Sequence, residues 1–449
     1  MARPNRVTVR PYQVGFGDCF LLTFHYRSGD DRHVLIDFGS TGEPRGFHDL
    51  ANDVARSIHQ ECGGKLHAVV ATHRHKDHIS GFATKANGKG SGDIIAACKP
   101  DVVVQPWTED PKAKPDAKTA TAGARSPKAF VAALRDMHAV AGAVAKEAQR
   151  LAAQRSTAGA DDDEGDTAAA PTAKRQSPLL KRLAFLGDVN LPNKSAIDNL
   201  IRMGKRRGAK AFFVNCGSKS GLEAVLPGVK VHVLGPPTLK QTDSIRTQRQ
   251  RDETEFWHFQ AQASQRAVTP SRRLFPRARV LEGARRPKAS RWLLRQFRSI
   301  RGEQLREIVR ILDKAMNNTS VILLFEVGEQ LLLFPGDAQI ENWRFALSQP
   351  KIAKLLERVT FYKVGHHGSL NATPKSLWRG FANRAGKPKP SRLRTAVSTM
   401  AGKHGDTARE TEVPRSTLVA ALKAESDFFT TQDILASEKR LFEPQTIDL

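Results

Sequence analysis

The sequence predicts an α/β fold in which strands and helices alternate along the chain. Three observations lead there. Short apolar runs rich in Val, Ile, Leu and Phe recur between turn residues, at 19–24, 33–37, 66–71, 101–104, 211–214, 230–234, 320–326, 330–334 and 360–364, with the length and composition of strands. Stretches with helical spacing, at 49–60 and 193–206, fall between them. Motifs rich in His, Asp and Gly follow three of the apolar runs directly, which would gather them at one edge of a layered scaffold.

In chain order, Val7-Thr8-Val9-Arg10 alternates as a strand should, and residues 19–24 and 33–37 join it as a hairpin turning at Gly29-Asp30-Asp31. Asp37 ends that unit. The helix at 49–60 stops at Gly63-Gly64 and leads into the buried-type strand at 66–71. After the strand at 101–104, residues 109–127 change to Lys, Pro, Ala and Thr, the composition of a linker. An Ala-rich helix is expected at 129–154 and disorder at 156–177, where Asp161, Asp162, Asp163 and Glu164 read as a solvated acidic loop. His232 alternates with valines and reads as an ordinary strand residue. The strands at 320–326 and 330–334 form a hairpin around Val327-Gly328-Glu329. Later come a strand at 360–364, another at 395–399, a closing helix at 414–424 and a last strand at 427–431. The whole reads as one domain over 1–449 carrying two insertions, 109–178 and 241–310.

Chemistry concentrates at Thr72-His73-Arg74-His75-Lys76-Asp77-His78-Ile79-Ser80-Gly81, at the end of the strand at 66–71. Imidazoles two residues apart can face one metal ion from an extended loop, and an Asp-His pair just beyond can face a second. Such ligands suit Zn²⁺, Mn²⁺ or Fe and do not choose among them. The segment predicts a dinuclear metal site.

HxHxDH after an apolar strand resembles the signature of the metallo-β-lactamase superfamily. Tyr12-Gln13-Val14-Gly15-Phe16-Gly17-Asp18-Cys19, Asn317-Asn318-Thr319-Ser320 with Leu333-Phe334-Pro335-Gly336-Asp337, and Lys363-Val364-Gly365-His366-His367-Gly368-Ser369 are similar to further motifs of its ComEC-type branch, in that branch's order. The resemblance implies an αββα sandwich and two divalent transition metals, zinc or manganese. It implies one ion on His73, His75 and a histidine of the 366–367 pair, with His367 favoured and His366 the alternative. The other would sit on Asp77 and His78, with Asp337 bridging and His404 in the place of a further family histidine. Asp37 would brace the metal loop by hydrogen bonds. Asp77 and Asp337 are the catalytic candidates. Two metals about 3.5–4 Å apart would polarise a substrate oxygen and acidify a water molecule.

A chain of 449 residues with 40% hydrophobic and 26% charged content can bury a sizeable core. No run of 18 apolar residues exists to span a membrane. Four scattered cysteines (Cys19, Cys62, Cys98, Cys216) and the lack of a signal-peptide pattern give a cytoplasmic expectation. A formal charge of +25, from 71 Lys+Arg against 46 Asp+Glu, favours a polyanionic partner. The insertion at 241–310 interleaves arginines, among them Arg272, Arg273, Arg285 and Arg286, with Trp257, Phe259, Phe275, Trp292 and Phe297, a mixture suited to phosphate contact and base stacking. The expected function is a metal-dependent nuclease acting on DNA. The alternatives are hydrolysis of a small ester, lactone or phosphodiester, and a weakly active nucleic-acid-binding protein whose metals are structural.

Overall fold

Strands form where β-branched and aromatic residues run together, and the alternation of their side chains decides which neighbours each face meets. The computed structural model describes residues 2–44, 46–110, 194–246, 255, 316–387, 391–405, 411–434 and 440–449. The expectations for the helix at 129–154, for disorder at 156–177, and for the insertion at 241–310 beyond residue 246 (residue 255 aside), with its Arg272, Arg273, Arg285 and Arg286, fall outside these residues.

The chain is mixed α/β with two mixed sheets. The first holds β1 (Pro4–Pro11), β2 (Cys19–Tyr26), β3 (Arg32–Phe38), β4 (Ala68–Val70), β5 (Val102–Pro106), β6 (Lys210–Val214) and β13 (Gln445–Asp448), in the order β13-β1-β2-β3-β4-β5-β6. Its hairpin side is antiparallel, and β3 through β6 run parallel. Parallel neighbours need crossovers. Helix α1 (Leu50–Glu61) lies between β3 and β4 in sequence. The one-turn α2 (Lys76–Ile79) and then α3 (Ser91–Ala97) lie between β4 and β5, and α4 (Lys194–Lys205) precedes β6.

The second sheet holds β7 (Lys230–Gly235), β8 (Ile322–Val327), β9 (Gln330–Phe334), β10 (Phe361–Lys363), β11 (Arg394–Val397) and β12 (Asp427–Thr430), in the order β12-β11-β10-β9-β8-β7. β7, β8 and β9 are antiparallel, and β9 through β12 are parallel. Helices α5 (Ile340–Leu347), α6 (Pro350–Glu357), α7 (Lys375–Gly380) and α8 (Ser416–Glu425) fill its connections.

Alternation sorts the side chains into three clusters. Val34, Ile36, Val70, Val102 and Val104 share one with Leu323, Phe325, Val327, Leu332 and Phe334 of the other sheet. There the ring of Phe24 lies 5.9 Å from that of Phe325, and Phe20 lies 5.9 Å from Phe334. Truncating Phe325 to alanine would cost about 3–5 kcal/mol. The intervening Leu35, Val69 and Val103 turn to Val54, Ile58, Ile95 and Leu200 of α1, α3 and α4. Leu324, Leu331 and Leu333 turn to Trp343, Leu356, Leu377 and Leu418 of α5 through α8. No helix among the described residues is long and apolar enough to cross a membrane.

One consequence for the site is topological. The C-terminal ends of β3, β4, β9, β10 and β11 carry Asp37, the loop from Thr72, Asp337, the His366-His367 pair and Ser398. Ligands gather at the carboxyl ends of strands in such sheets because the chain leaves there as loops.

At the other end of β3, buried His33 and His67 lie against each other, with the His33 N–H donated to His67 Nδ1 at 3.1 Å. Burial, reinforced by the nearby Arg32 charge, pushes His67 down to about 4, and burial does the same to His33. The unfolded chain then holds protons between about 6.5 and 4 that the folded chain does not. Their contribution to stability is present above about pH 6.5 and is lost as the pH falls towards 4. Replacing His67 with Gln should flatten the pH dependence of urea-unfolding stability across that window. An unchanged slope would contradict the assignment.

Candidate metal centre

The metal loop begins where β4 leaves the sheet. Thr72 donates its N–H to Asp37 Oδ1 and its hydroxyl to Asp37 Oδ2, each at 2.7 Å, and His78 Nδ1 lies 2.8 Å from the same Oδ2. One carboxylate thus ties both ends of a seven-residue loop to the end of β3. Asp37 itself is left-handed, φ 55. The loop comes so close that a Cβ on Gly39 would stand 2.4 Å from the backbone nitrogen of His78.

Asp337 follows β9 and donates its N–H to Ser320 Oγ at 3.2 Å. Here too the approach demands glycine: Gly336 has φ 55, and a Cβ on it would meet Thr72 at 2.7 Å. After β10 the chain turns through His366 and His367, both left-handed at φ 44 and 53. Two consecutive non-glycine residues in that region cost on the order of 1–3 kcal/mol each, held in place by the surrounding packing.

These segments converge. Asp77, His78, Asp337 and His367 form one buried group whose donor atoms lie within 4.8 Å of one another, and His73, His75 and Asp337 form a second. Asp337 belongs to both. Its Oδ1 lies 3.0 Å from His78 Nε2, while its Oδ2 lies 3.8 Å from His73 Nε2 and 3.6 Å from His366 Nε2. His73 Nε2 and His75 Nδ1 are 2.9 Å apart, and His367 Nε2 is 3.1 Å from Asp77 Oδ2. Ligand atoms sharing one ion at about 2.0–2.1 Å stand about 3 Å from each other.

Two features fit a cation rather than a hydrogen-bonded core. Oδ2 of Asp337 and Oδ1 of Asp77 are buried without a hydrogen-bond partner, a condition rare in cores. Three of the imidazoles are also turned alike. His73, His78 and His367 set Nδ1 against an oxygen, of Thr72 at 3.2 Å, Asp37 at 2.8 Å and the Ser398 carbonyl at 3.0 Å. That leaves Nε2 facing inward, as metal-binding histidines are held. Burial drives the His73 proton off, helped by His78 and His75. Burial opposes the proton on His367 as well, but Asp18 and Asp337 more than offset it and push the ring up to about 10. These buried groups could hold metal ions.

A third group, Asp18, Asp37 and His78, also has ligand spacing. It already has its cation. The ammonium of buried Lys363 lies against Asp18, and although burial works against its charge, Asp18 and Asp337 raise it above the usual lysine range. Neither residue was assigned a role from sequence; the signal for Lys363 was a lone charge in the apolar run Phe361-Tyr362-Lys363-Val364.

The structure thus brings together His73, His75, Asp77, His78, Asp337 and His367, with His366 at the edge. It differs from the sequence expectation in two respects, the side taken by His367 and the place of His404. His367 stands with Asp77 and His78, not with His73 and His75, and the ring nearer His73's side of Asp337 is His366. Successive left-handed residues send the two rings to different sides, which spacing does not encode. His404 lies outside the three groups, its ring 4.2 Å from Phe16, which in turn lies 4.4 Å from His367. Burial pulls His404 down to about 4, with His367 and Lys403 adding to the effect.

No family model matches the chain, and no curated protein matches it. A chelator-competition titration of the purified protein should find divalent-metal affinity about 10–100-fold lower in Asp37→Ala, which touches only the loop and His78. In Asp337→Ala the loss should be larger. Equal affinity in Asp37→Ala and parent would contradict the bracing role.

Proposed function

We propose that the chain is a metal-dependent hydrolase of the metallo-β-lactamase superfamily, of ComEC type, folded as an αββα sandwich and acting on the phosphodiester bonds of nucleic acid, DNA foremost. The observation that carries this reading is Asp337, whose two oxygens face different sets of imidazoles. On this reading His73, His75, His366 and Asp337 would hold one divalent cation, zinc or manganese, and Asp77, His78, His367 and Asp337 would hold a second. Bound there, they supply Lewis-acid polarisation of a phosphoryl oxygen and acidify water.

The chain's own groups do the rest. Asp77 Oδ1, which has no hydrogen-bond partner, could orient the attacking water. Phe16, buried against His367, keeps bulk water from that side. The charge balance favours an anionic substrate. Asp18, Asp37, Asp77 and Asp337 set against Lys363 leave three buried negative charges, so two divalent cations leave one positive charge at the site. The overall excess of +25 and the arginines of the basic insertion extend that preference to a polyanion.

Metal-loaded protein incubated with labelled single- and double-stranded DNA and RNA, and with a small chromogenic phosphodiester, tests this. Parent protein should cleave DNA, and Asp77→Ala should lose about 10²–10⁴-fold in rate while unfolding at the parent's temperature. Reversing the charges at Arg272, Arg273, Arg285 and Arg286 should weaken DNA binding and flatten its salt dependence, leaving small-substrate turnover intact. Turnover of the small diester alone would reassign the substrate. DNA binding with no turnover by any metal-loaded form would contradict the hydrolase reading.

A further inference from the structure

On the reading of the site just given, we infer that Gln339 is a positioning residue: its side-chain carbonyl accepts the Nδ1–H of His366 and holds that ring with Nε2 towards Asp337. Gln339 is 1% exposed, and its amide end lies 3.5 Å from His366 Nδ1. As the atoms stand, the amide nitrogen faces the ring and the amide oxygen is buried with no hydrogen-bond partner. That arrangement makes Nδ1 the acceptor and puts the ring proton on Nε2, the atom 3.6 Å from Asp337 Oδ2. A half-turn of the amide exchanges oxygen and nitrogen without changing the shape of the side chain. It gives the orphaned oxygen a donor, moves the ring proton to Nδ1 and frees the Nε2 lone pair.

Three other imidazoles set the pattern. His73, His78 and His367 each place Nδ1 against an oxygen, and His366 becomes the fourth to do so. It is also the most exposed of the four. Its side chain is 25% exposed, whereas those of His73, His78 and His367 are at 0%, and its backbone is left-handed at φ 44. Gln339 is well placed to hold it. Standing at the N-terminal boundary of α5, it accepts the Trp343 N–H through its carbonyl at 3.1 Å, and Trp343 is fully buried. The position of Gln339 is therefore fixed by the helix, and through it the ring of His366 is fixed relative to Asp337, two residues before Gln339.

Two substitutions separate this role from mere packing. Gln339→Glu keeps an acceptor oxygen facing Nδ1, and Gln339→Met keeps the bulk without one. Parent and variants are titrated with cobalt(II), following the visible absorption of the bound ion and competition with a chelator, and their thermal unfolding is compared. Parent and Gln339→Glu should take up both equivalents with the same spectrum. Gln339→Met, unfolding at the parent's temperature, should bind one equivalent about 10–100-fold more weakly with an altered band, the other unchanged. If Gln339→Met binds both equivalents as the parent does, or Gln339→Glu is as weak as Gln339→Met, the positioning role is overturned while the metal site stands. If the parent takes up no cobalt, the metal site falls and the role of Gln339 with it.

Discussion

Four carboxylates, Asp18, Asp37, Asp77 and Asp337, are buried within reach of one another at the end of two sheets, and their mutual repulsion is the constraint around which the site is built. Two like charges at 4 Å repel by about 4 kcal/mol at the effective dielectric of a protein. Each carboxylate here meets a different answer. Asp37 is consumed by hydrogen bonds from Thr72 and His78, and Asp18 by the ammonium of Lys363. Asp77 and Asp337 each meet an imidazole, His367 and His78, through one oxygen and keep the other without a hydrogen-bond partner. The outer pair is met by Lys363 and by the loop, and the inner pair by imidazoles that could share it with a metal ion.

The fold makes such a concentration tolerable. The cores formed by the alternating faces of the sheets are built from Val, Leu, Ile and Phe, and they anchor strands whose ends must hold left-handed Asp37, His366 and His367. Strain of that kind persists only where the surroundings over-determine the backbone. The edge-on contact of Phe20 with Phe334 and the tilted contact of Phe24 with Phe325 join the two sheets, and segments some 290 residues apart, Asp77 and His367, meet at 3.1 Å.

Much of this was legible in the sequence because the relevant signals are local. An apolar β-branched run ending in His-x-His-x-Asp-His reads as both a strand and a candidate ligand set, and β4 with its loop lies where that run predicts. The same holds for β8, β9 and Asp337. What was not legible depends on long-range or backbone geometry. β13 has no apolar run, only the segment Gln445-Thr446-Ile447-Asp448, and is held by its pairing with β1. The short helix α7 is likewise set by packing, through Leu377 and Trp378 against β10's Tyr362 and its neighbours. The division of labour between His366 and His367 follows from φ values that no spacing rule contains. Asp18 and Lys363 stand out only once one sees that they meet.

The central claim is that Asp337 bridges two cations. The most direct measurement is anomalous diffraction from crystals of the zinc- or manganese-loaded protein, collected on either side of the metal absorption edge. The account predicts two separate anomalous peaks at the site, one beside each oxygen of Asp337, the first in contact with His73 and His75 and the second with Asp77 and His78. A single peak, or metal bound only elsewhere on the chain, would contradict it.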